Sequence, residues 1–309
     1  MKSFTFNDIL SALTHIRGGI PAARLSTRVR LAEHRSVFFG PSYDFYDVQE
    51  YDSERDLPNQ IIPSLVGPDE EIYARKCVEY HEVKNIILAD LSSSIDAGLD
   101  FIKRRLLLET IGYIGLTGAR YQDLIGLAGF TDRIVFNLPA RCGQNNFYHL
   151  LKTVYDLLAE RGLDDKKTPK HKTDFFAAFD FVRRSLNRRC FIPMISDFIG
   201  LEKVVSSSLL RTVASKHEMI FVFLDDPQEL VSAGGIGYIR TGDIEGGRQR
   251  IVSRSKLAGE EKEIRAQRRE LRKELRGLGI QSVVLEYGKH FNRLFRFFER
   301  RRKTRTGRR

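Results

Sequence analysis

The sequence predicts an α/β protein built on a doubly wound, mostly parallel sheet, and two features carry that prediction. Apolar runs of strand length recur along the chain, VKNIILAD, DLIGLAGF, CFIPMISDF and EMIFVFLDD among them. They lack the polar alternation of half-buried strands, which is the mark of strands covered on both faces. Between them lie helical stretches of about 10 to 18 residues, long enough to cross back over a parallel sheet.

In chain order, Phe4 to about Leu31 opens with a short helical pattern, breaks at Gly18-Gly19 and continues rich in arginine. SVFFGPSYDFYDVQEYDSERDLPNQIIPS follows, dense in aromatic and turn residues. Its Gly40-Pro41 turn before Tyr43, Phe45, Tyr46 and Val48 reads as short strands or an extended arm. VKNIILAD is then a buried strand, and Leu99 to Leu116 sets Ile102, Leu106, Leu107, Ile111 and Ile114 on one helix face. DLIGLAGF and RIVFNLP are two strands joined by a turn at Thr131-Asp132. NNFYHLLKTVYDLLAERG is a helix ended by its glycine. After the polar link LDDKKTPKHK, TDFFAAFDFVRRSL is a helix capped by Thr173 or Asp174. Strand CFIPMISDF, helix EKVVSSSLLRTVAS and strand EMIFVFLDD come next.

AGGIGYIRTGDIEGGRQR reads as a glycine-rich hairpin; without a G-K-[ST] ending it is a weak phosphate loop. A charged helix from about Leu257 to Leu275, the strand GIQSVVLEYG and the helix HFNRLFRFFERRRK complete the pattern. Phe291, Leu294, Phe295 and Phe298 form the last helix's apolar face, so the fold is expected to close near Phe298, with RRKTRTGRR solvated beyond it. The boundaries read from this are 1–82 for an N-terminal helix and extended arm packing on the main domain, 83–302 for the main domain with a hairpin insertion at 228–256, and 303–309 for a basic tail.

Composition narrows the function classes. Hydrophobic residues are 42% and charged residues 29%, the profile of an ordinary folded protein. No apolar run approaches the ~18 residues of a membrane span, and MKSFTFNDILSALTHIRGG lacks a secretory pattern, so no integral membrane segment and a cytoplasmic location are expected. Cys77, Cys142 and Cys190 are odd in number and scattered, and read as buried thiols. The net charge of +11 resides in residues 261–309, which hold 17 Lys and Arg against 6 Asp and Glu; the rest is neutral. A neutral body with a basic end argues for a charged face rather than specific nucleic-acid recognition.

Ligands of open α/β sheets bind beyond the carboxyl ends of the strands. That rule selects Asp90, Asp197 and the pair Asp225-Asp226, the last turned away by Pro227. Asp90 opens a D-x-S-x-S string with Ser92 and Ser94, which can bring one carboxylate and two hydroxyls onto a single cation. Thr173 before a helix and Asp197 ending another strand can reach the same rim if their elements neighbour the first. All five are oxygen donors, which suits Mg²⁺, with Mn²⁺ or Ca²⁺ as substitutes. Asp96 reads as a solvated acid or a helix-start charge, and Gly98 as a turn residue.

Asp90, Ser92 and Ser94, with Thr173 in KTDFFAAF and Asp197 in ISDF, resemble the metal-ion-dependent adhesion site of von Willebrand factor type A (vWA) domains. GPSYDFYDVQEY at 40–51, EIYARKCVEYHEV at 71–83, LADLSSSI at 88–95 and FFERRR at 297–302 resemble the DUF58 family, over roughly residues 30 to 302. The resemblance implies a sheet of the vWA (Rossmann-like) kind. It also implies magnesium-dependent binding of an acidic group on a protein partner, and association with a MoxR-type AAA+ ATPase. Asp90, Ser92 and Ser94 would hold the ion directly or through water, Thr173 would face the open side, and Asp197 would act through a water or by orientation. The family's tryptophan-bearing arm segment is replaced here by YDSERDLPNQIIPS, and the chain has no Trp. Its amino-terminal membrane helices are absent too, which implies a soluble member.

The expected function is therefore a non-enzymatic binding adaptor. The alternative is a metal-dependent phosphoryl-transfer or hydrolytic enzyme at the Asp90/Asp197 rim. The second aspartate of the haloacid dehalogenase-like pattern is missing at Ser92, and no G-x-S-x-G elbow occurs. No histidine stands beside the cluster in sequence; His171 comes nearest, through Thr173.

Overall fold

A computed structural model describes residues 4–14, 45–52, 61–66, 72–77, 84–96, 101–120, 123–162, 172–225, 238–242 and 249–306. The chain divides into two units, Thr27–Glu82 and the remainder. In the smaller unit β1 (Phe45–Glu50), β2 (Ile61–Val66) and β3 (Ile72–Cys77) form an antiparallel sheet in the order β1-β3-β2.

The larger unit begins with α1 (Phe6–Thr14), opened by a reciprocal cap: the Asp8 N–H donates to Thr5 Oγ1 at 3.2 Å, and the Thr5 N–H to Asp8 Oδ2 at 2.6 Å. Ile9 and Leu13, four residues apart on one face, are buried in the main core. Leu13 fills the space beside Gly112, where a Cβ would stand 2.4 Å from Leu13 Cδ1. The apolar stripe of this helix belongs to the core of the larger unit, which takes in residues Met1–Ser26.

Six strands form the central sheet: β4 (Lys84–Asp90), β5 (Leu124–Phe130), β6 (Ile134–Arg141), β7 (Phe191–Ser196), β8 (Glu218–Asp225) and β11 (Gln281–Glu286). Their order is β11-β8-β7-β4-β5-β6, parallel throughout except for antiparallel β6. Counted by appearance this is the 3-2-1-4-5-6 arrangement of doubly wound folds, whose direction of winding reverses between β4 and β7.

Successive side chains of a strand point to opposite faces, and the core follows that rule. Ile87 and Ala89 of β4 pack with α1, α2 (Ile102–Arg120), α3 (Gln144–Gly162) and α7 (His290–Thr306), while Ile86 and Leu88 pack with α4 (Phe175–Ser185), α5 (Ser208–Lys216) and α6 (Arg254–Gly277). A hairpin of β9 (Tyr238–Gly242) and β10 (Gln249–Ser253) falls within the predicted insertion.

The C-terminal helix departs from expectation. It continues to Thr306, and Arg301, expected in a solvated tail, is buried as an ion pair with Glu218. Its guanidinium also lies 5.4 Å from the Phe191 ring centroid. Leu294, Phe298 and Arg301 follow the i, i+4, i+7 spacing of one helix face, so the arginine extends the apolar stripe. Cys190 is buried as expected, but Cys142 is exposed.

Candidate functional site

The parallel registration of Ala89 with Ile195 brings the carboxyl ends of β4 and β7 side by side at the switch point. There Asp90 is fully buried. Its Oδ1 accepts the Ser92 N–H at 2.9 Å, and its Oδ2 accepts the Ser196 hydroxyl at 2.5 Å. The chain then enters a 3-10 turn, Ser93–Asp96, which folds Ser94 back so that its Oγ lies 2.9 Å from Ser92 Oγ. Across the switch point Asp197 is equally sequestered. Its Oδ1 accepts the Ile199 N–H at 3.3 Å and its Oδ2 stands 3.4 Å from Lys103 Nζ.

Phe198, directly after Asp197, has φ of 57°, a left-handed conformation that costs a non-glycine residue about 1 kcal/mol or more. Its ring is fixed 4.8 Å from Phe221 and 4.4 Å from Phe223, between centroids. That packing holds the backbone in this turn, from which the Phe198 N–H donates to Ser196 Oγ at 2.9 Å.

The electrostatics reflect two carboxylates in one dry place. Burial, and then the charge of Asp197, push the Asp90 carboxyl up to about 7, against the opposing bonds from Ser196 and Ser92. Such a site favours an added positive charge. Its groups are hard oxygen donors, so they fit a magnesium-like cation. Among the described residues no three His, Cys, Asp or Glu side chains converge, so a ligand set here would draw on hydroxyls, backbone carbonyls or water beside the two carboxylates. Two basic residues line the rim: Lys103 on α2, and Arg161 on α3, which donates to the Leu91 carbonyl.

Four of the five sequence-selected residues, Asp90, Ser92, Ser94 and Asp197, thus share one buried network, in which Ser196 links to Asp90 and Lys103 links Asp197 to the Ser94 carbonyl at 3.5 Å. Thr173 stands apart. Asp174, not Thr173, caps α4, accepting the Phe176 N–H at 2.8 Å, and its own N–H bonds the carbonyl of Thr131 at 2.9 Å. Thr131 follows Phe130, the β5 partner of Asp90, so Thr173 is carried to the same end of the sheet. Among the described residues no hydrogen bond joins it to the other four. Asp96 is not simply solvated: Arg104 Nε holds it at 2.5 Å. Asp225 is paired with Arg268 at 2.6 Å, while Asp226, Gly98 and His171 lie outside the described residues.

Ser196, Lys103 and Arg161 were not selected from the sequence. Ser196 is a polar residue closing the apolar run FIPMI, and Lys103 shares the 3/4 spacing of Leu106, Leu107, Thr110 and Ile111. A lysine on a buried stripe was a readable signal. Arg161 gave none.

Fold and site define a class: a doubly wound α/β protein with a carboxylate and hydroxyl rim at its switch point. Residues 68–274 match the family described as "Protein of unknown function DUF58", and the chain belongs to that family. It is 24% identical over 177 residues to an uncharacterized protein of Mycobacterium bovis, Mb1516, and equally to Rv1480 of Mycobacterium tuberculosis, which covers 57% of this chain and 52% of theirs. The chain thus spans about half the length of these relatives. Among solved structures it is similar to the conserved hypothetical protein BatB of Bacteroides thetaiotaomicron (TM-score 0.40, 15% identity, 72% of this chain and 99% of that one). An aerotolerance-related membrane protein of Bacteroides fragilis gives a TM-score of 0.43 at 15% identity, over 71% and 98%. No helix among the described residues is long and apolar enough to cross a membrane.

Proposed function

We propose that this protein is a non-enzymatic binding adaptor whose rim of Asp90, Ser92, Ser94 and Asp197, with Thr173 nearby, takes Mg²⁺ and through it engages an Asp or Glu of a protein partner. The observation that carries this reading is the burial of two carboxylates together at the switch point, beside serine hydroxyls. A bound Mg²⁺ keeps part of its water shell, and a partner carboxylate can replace one of those waters. The strand order and the serine-bearing turn after β4 support the vWA reading of the sheet. From the family resemblance, the partner complex is one containing a MoxR-type AAA+ ATPase, and the role is in its assembly or maturation.

Two further features favour adhesion over hydrolysis. The hydroxyls of Ser92 and Ser94 bond each other, and that of Ser196 donates to Asp90, so all three serve to hold the rim. Beside the buried stack of Phe175 on Phe198, 5.9 Å between centroids, the following residues Phe176 and Ile199 are 45% and 55% exposed. Apolar surface at the rim suits a protein partner. The test is a pull-down from native extract with Mg²⁺ or chelator, alongside calorimetry of the ion. Retention is expected only with Mg²⁺ and only for wild type. Equal ion uptake by Asp90→Ala, or Mg²⁺-dependent phosphatase turnover abolished by that change, would overturn the proposal.

A further inference from the structure

Lys103 is 1% exposed, an extreme setting for an ammonium group. It occupies the first turn of α2, one turn before the fully buried Leu106 and Leu107 and on the same buried face. Its Nζ reaches across the switch point, 3.4 Å from Asp197 Oδ2 and 3.5 Å from the Ser94 carbonyl. It therefore touches both halves of the rim, the turn after β4 and the end of β7. Removing an ammonium from water is costly unless it is paired, so the contact with Asp197 persists once the helix is packed.

We infer that Lys103 is a resident counter-cation that sets how tightly the rim takes a divalent ion. The inference rests on the reading of the rim as a metal site. With Lys103 in place, the charge of Asp197 is already balanced, and Arg161 beside the turn after β4 further lowers the negative charge that an incoming ion meets. The ammonium also repels that ion across a short, poorly screened distance. Asp197 is held toward α2, which leaves Asp90 and the serine hydroxyls as the principal donors to the ion. An ion held by few protein charges keeps more of its own charge for an acidic group on a partner. Lys103 is on this account a positioning residue that lowers ion affinity while favouring the adhesive state.

The test is calorimetric titration of Mn²⁺ and Mg²⁺ into the full chain, comparing wild type, Lys103→Met, Lys103→Arg and Asp90→Ala. Removing a charge a few ångströms from the ion should tighten binding by Lys103→Met at least about tenfold, with Lys103→Arg close to wild type. Asp90→Ala should take no ion. Binding by a folded Lys103→Met at or below wild-type affinity overturns the inference and leaves the metal reading intact. Absence of binding by both wild type and Lys103→Met overturns the metal reading itself. Uptake by Lys103→Met alone would support the inference in its strongest form. If Lys103→Met is unfolded in chelator, its thermal melt is followed with Mn²⁺. Recovery of folding below the concentration that half-saturates wild type supports the inference, and failure to recover overturns it.

Discussion

The Ser196 hydroxyl makes two bonds in a fully buried setting, donating to Asp90 Oδ2 and accepting from the Phe198 N–H. One side chain therefore couples a carboxylate on β4 to the strained turn after β7. Ser196→Ala would leave the Phe198 N–H without this acceptor and Asp90 without one of the bonds that favour its ionised form. Loss of such a buried partner costs about 1 to 3 kcal/mol, which should appear as a lowered urea midpoint with an unchanged slope. Ser196→Thr should retain more of that stability because it keeps the hydroxyl. The aspartates were legible from their strand-end positions, and Ser92 and Ser94 from the D-x-S-x-S spacing that follows Asp90. The pairings of Ser196 and Lys103 were not, even though a lysine on a buried stripe is itself a signal, because Asp90 and Asp197 lie 106 and 94 residues away in sequence. Only strand order brings them together.

At the level of elements, strands were easier to read than the packing of terminal helices. The apolar runs mark β4, β5, β7 and β8 directly, since burial on both faces leaves nothing polar to confuse the pattern. The helix α1 is short, and which core received its Phe6, Ile9, Leu10 and Leu13 was a tertiary matter. In α7 an arginine completed a stripe that composition alone assigns to solvent. The pairing of β5 with edge strand β6 shows how closely two elements can depend on one missing atom. A Cβ on Gly126 would stand 2.9 Å from the Leu138 carbonyl oxygen and 3.0 Å from the Ala140 nitrogen, both backbone atoms of β6. Backbone cannot rotate aside as a side chain can. Gly126→Ala should therefore push β6 outward at a cost of about 1 to 3 kcal/mol, read as a fall in thermal midpoint and as faster amide exchange along β6 than along β4.

Viewed as a whole, the larger unit has two chemically different poles. The carboxyl ends of β4 and β7 carry the acidic rim, while the amino ends of β7 and β8 carry the buried Glu218–Arg301 pair and His217. His217 Nδ1 accepts the Cys190 N–H at 3.2 Å, and its buried Nε2 has no hydrogen-bond partner among the described residues. Burial first, then the charges of Lys216 and Arg189, pull its pKa down from 6.5 to about 4. The sign of the consequence follows from proton counting. Between those values the unfolded chain binds a proton that the folded protein does not, so stability is lost as pH falls from about 6.5 toward 4, and His217 has no effect above that window. The loss approaches about 3 kcal/mol at the acid end. His217→Asn keeps an acceptor for the Cys190 N–H but cannot titrate. Urea unfolding at a series of pH values should show a shallower acid decline for this variant, with the two proteins converging near neutrality apart from a constant offset. Parallel curves for variant and wild type would show that the acid sensitivity originates elsewhere. Because this pole is the opposite end of the sheet from the rim, His217→Asn should leave Mg²⁺ uptake at pH 7.5 unchanged, which separates what stabilises the fold from what the rim binds.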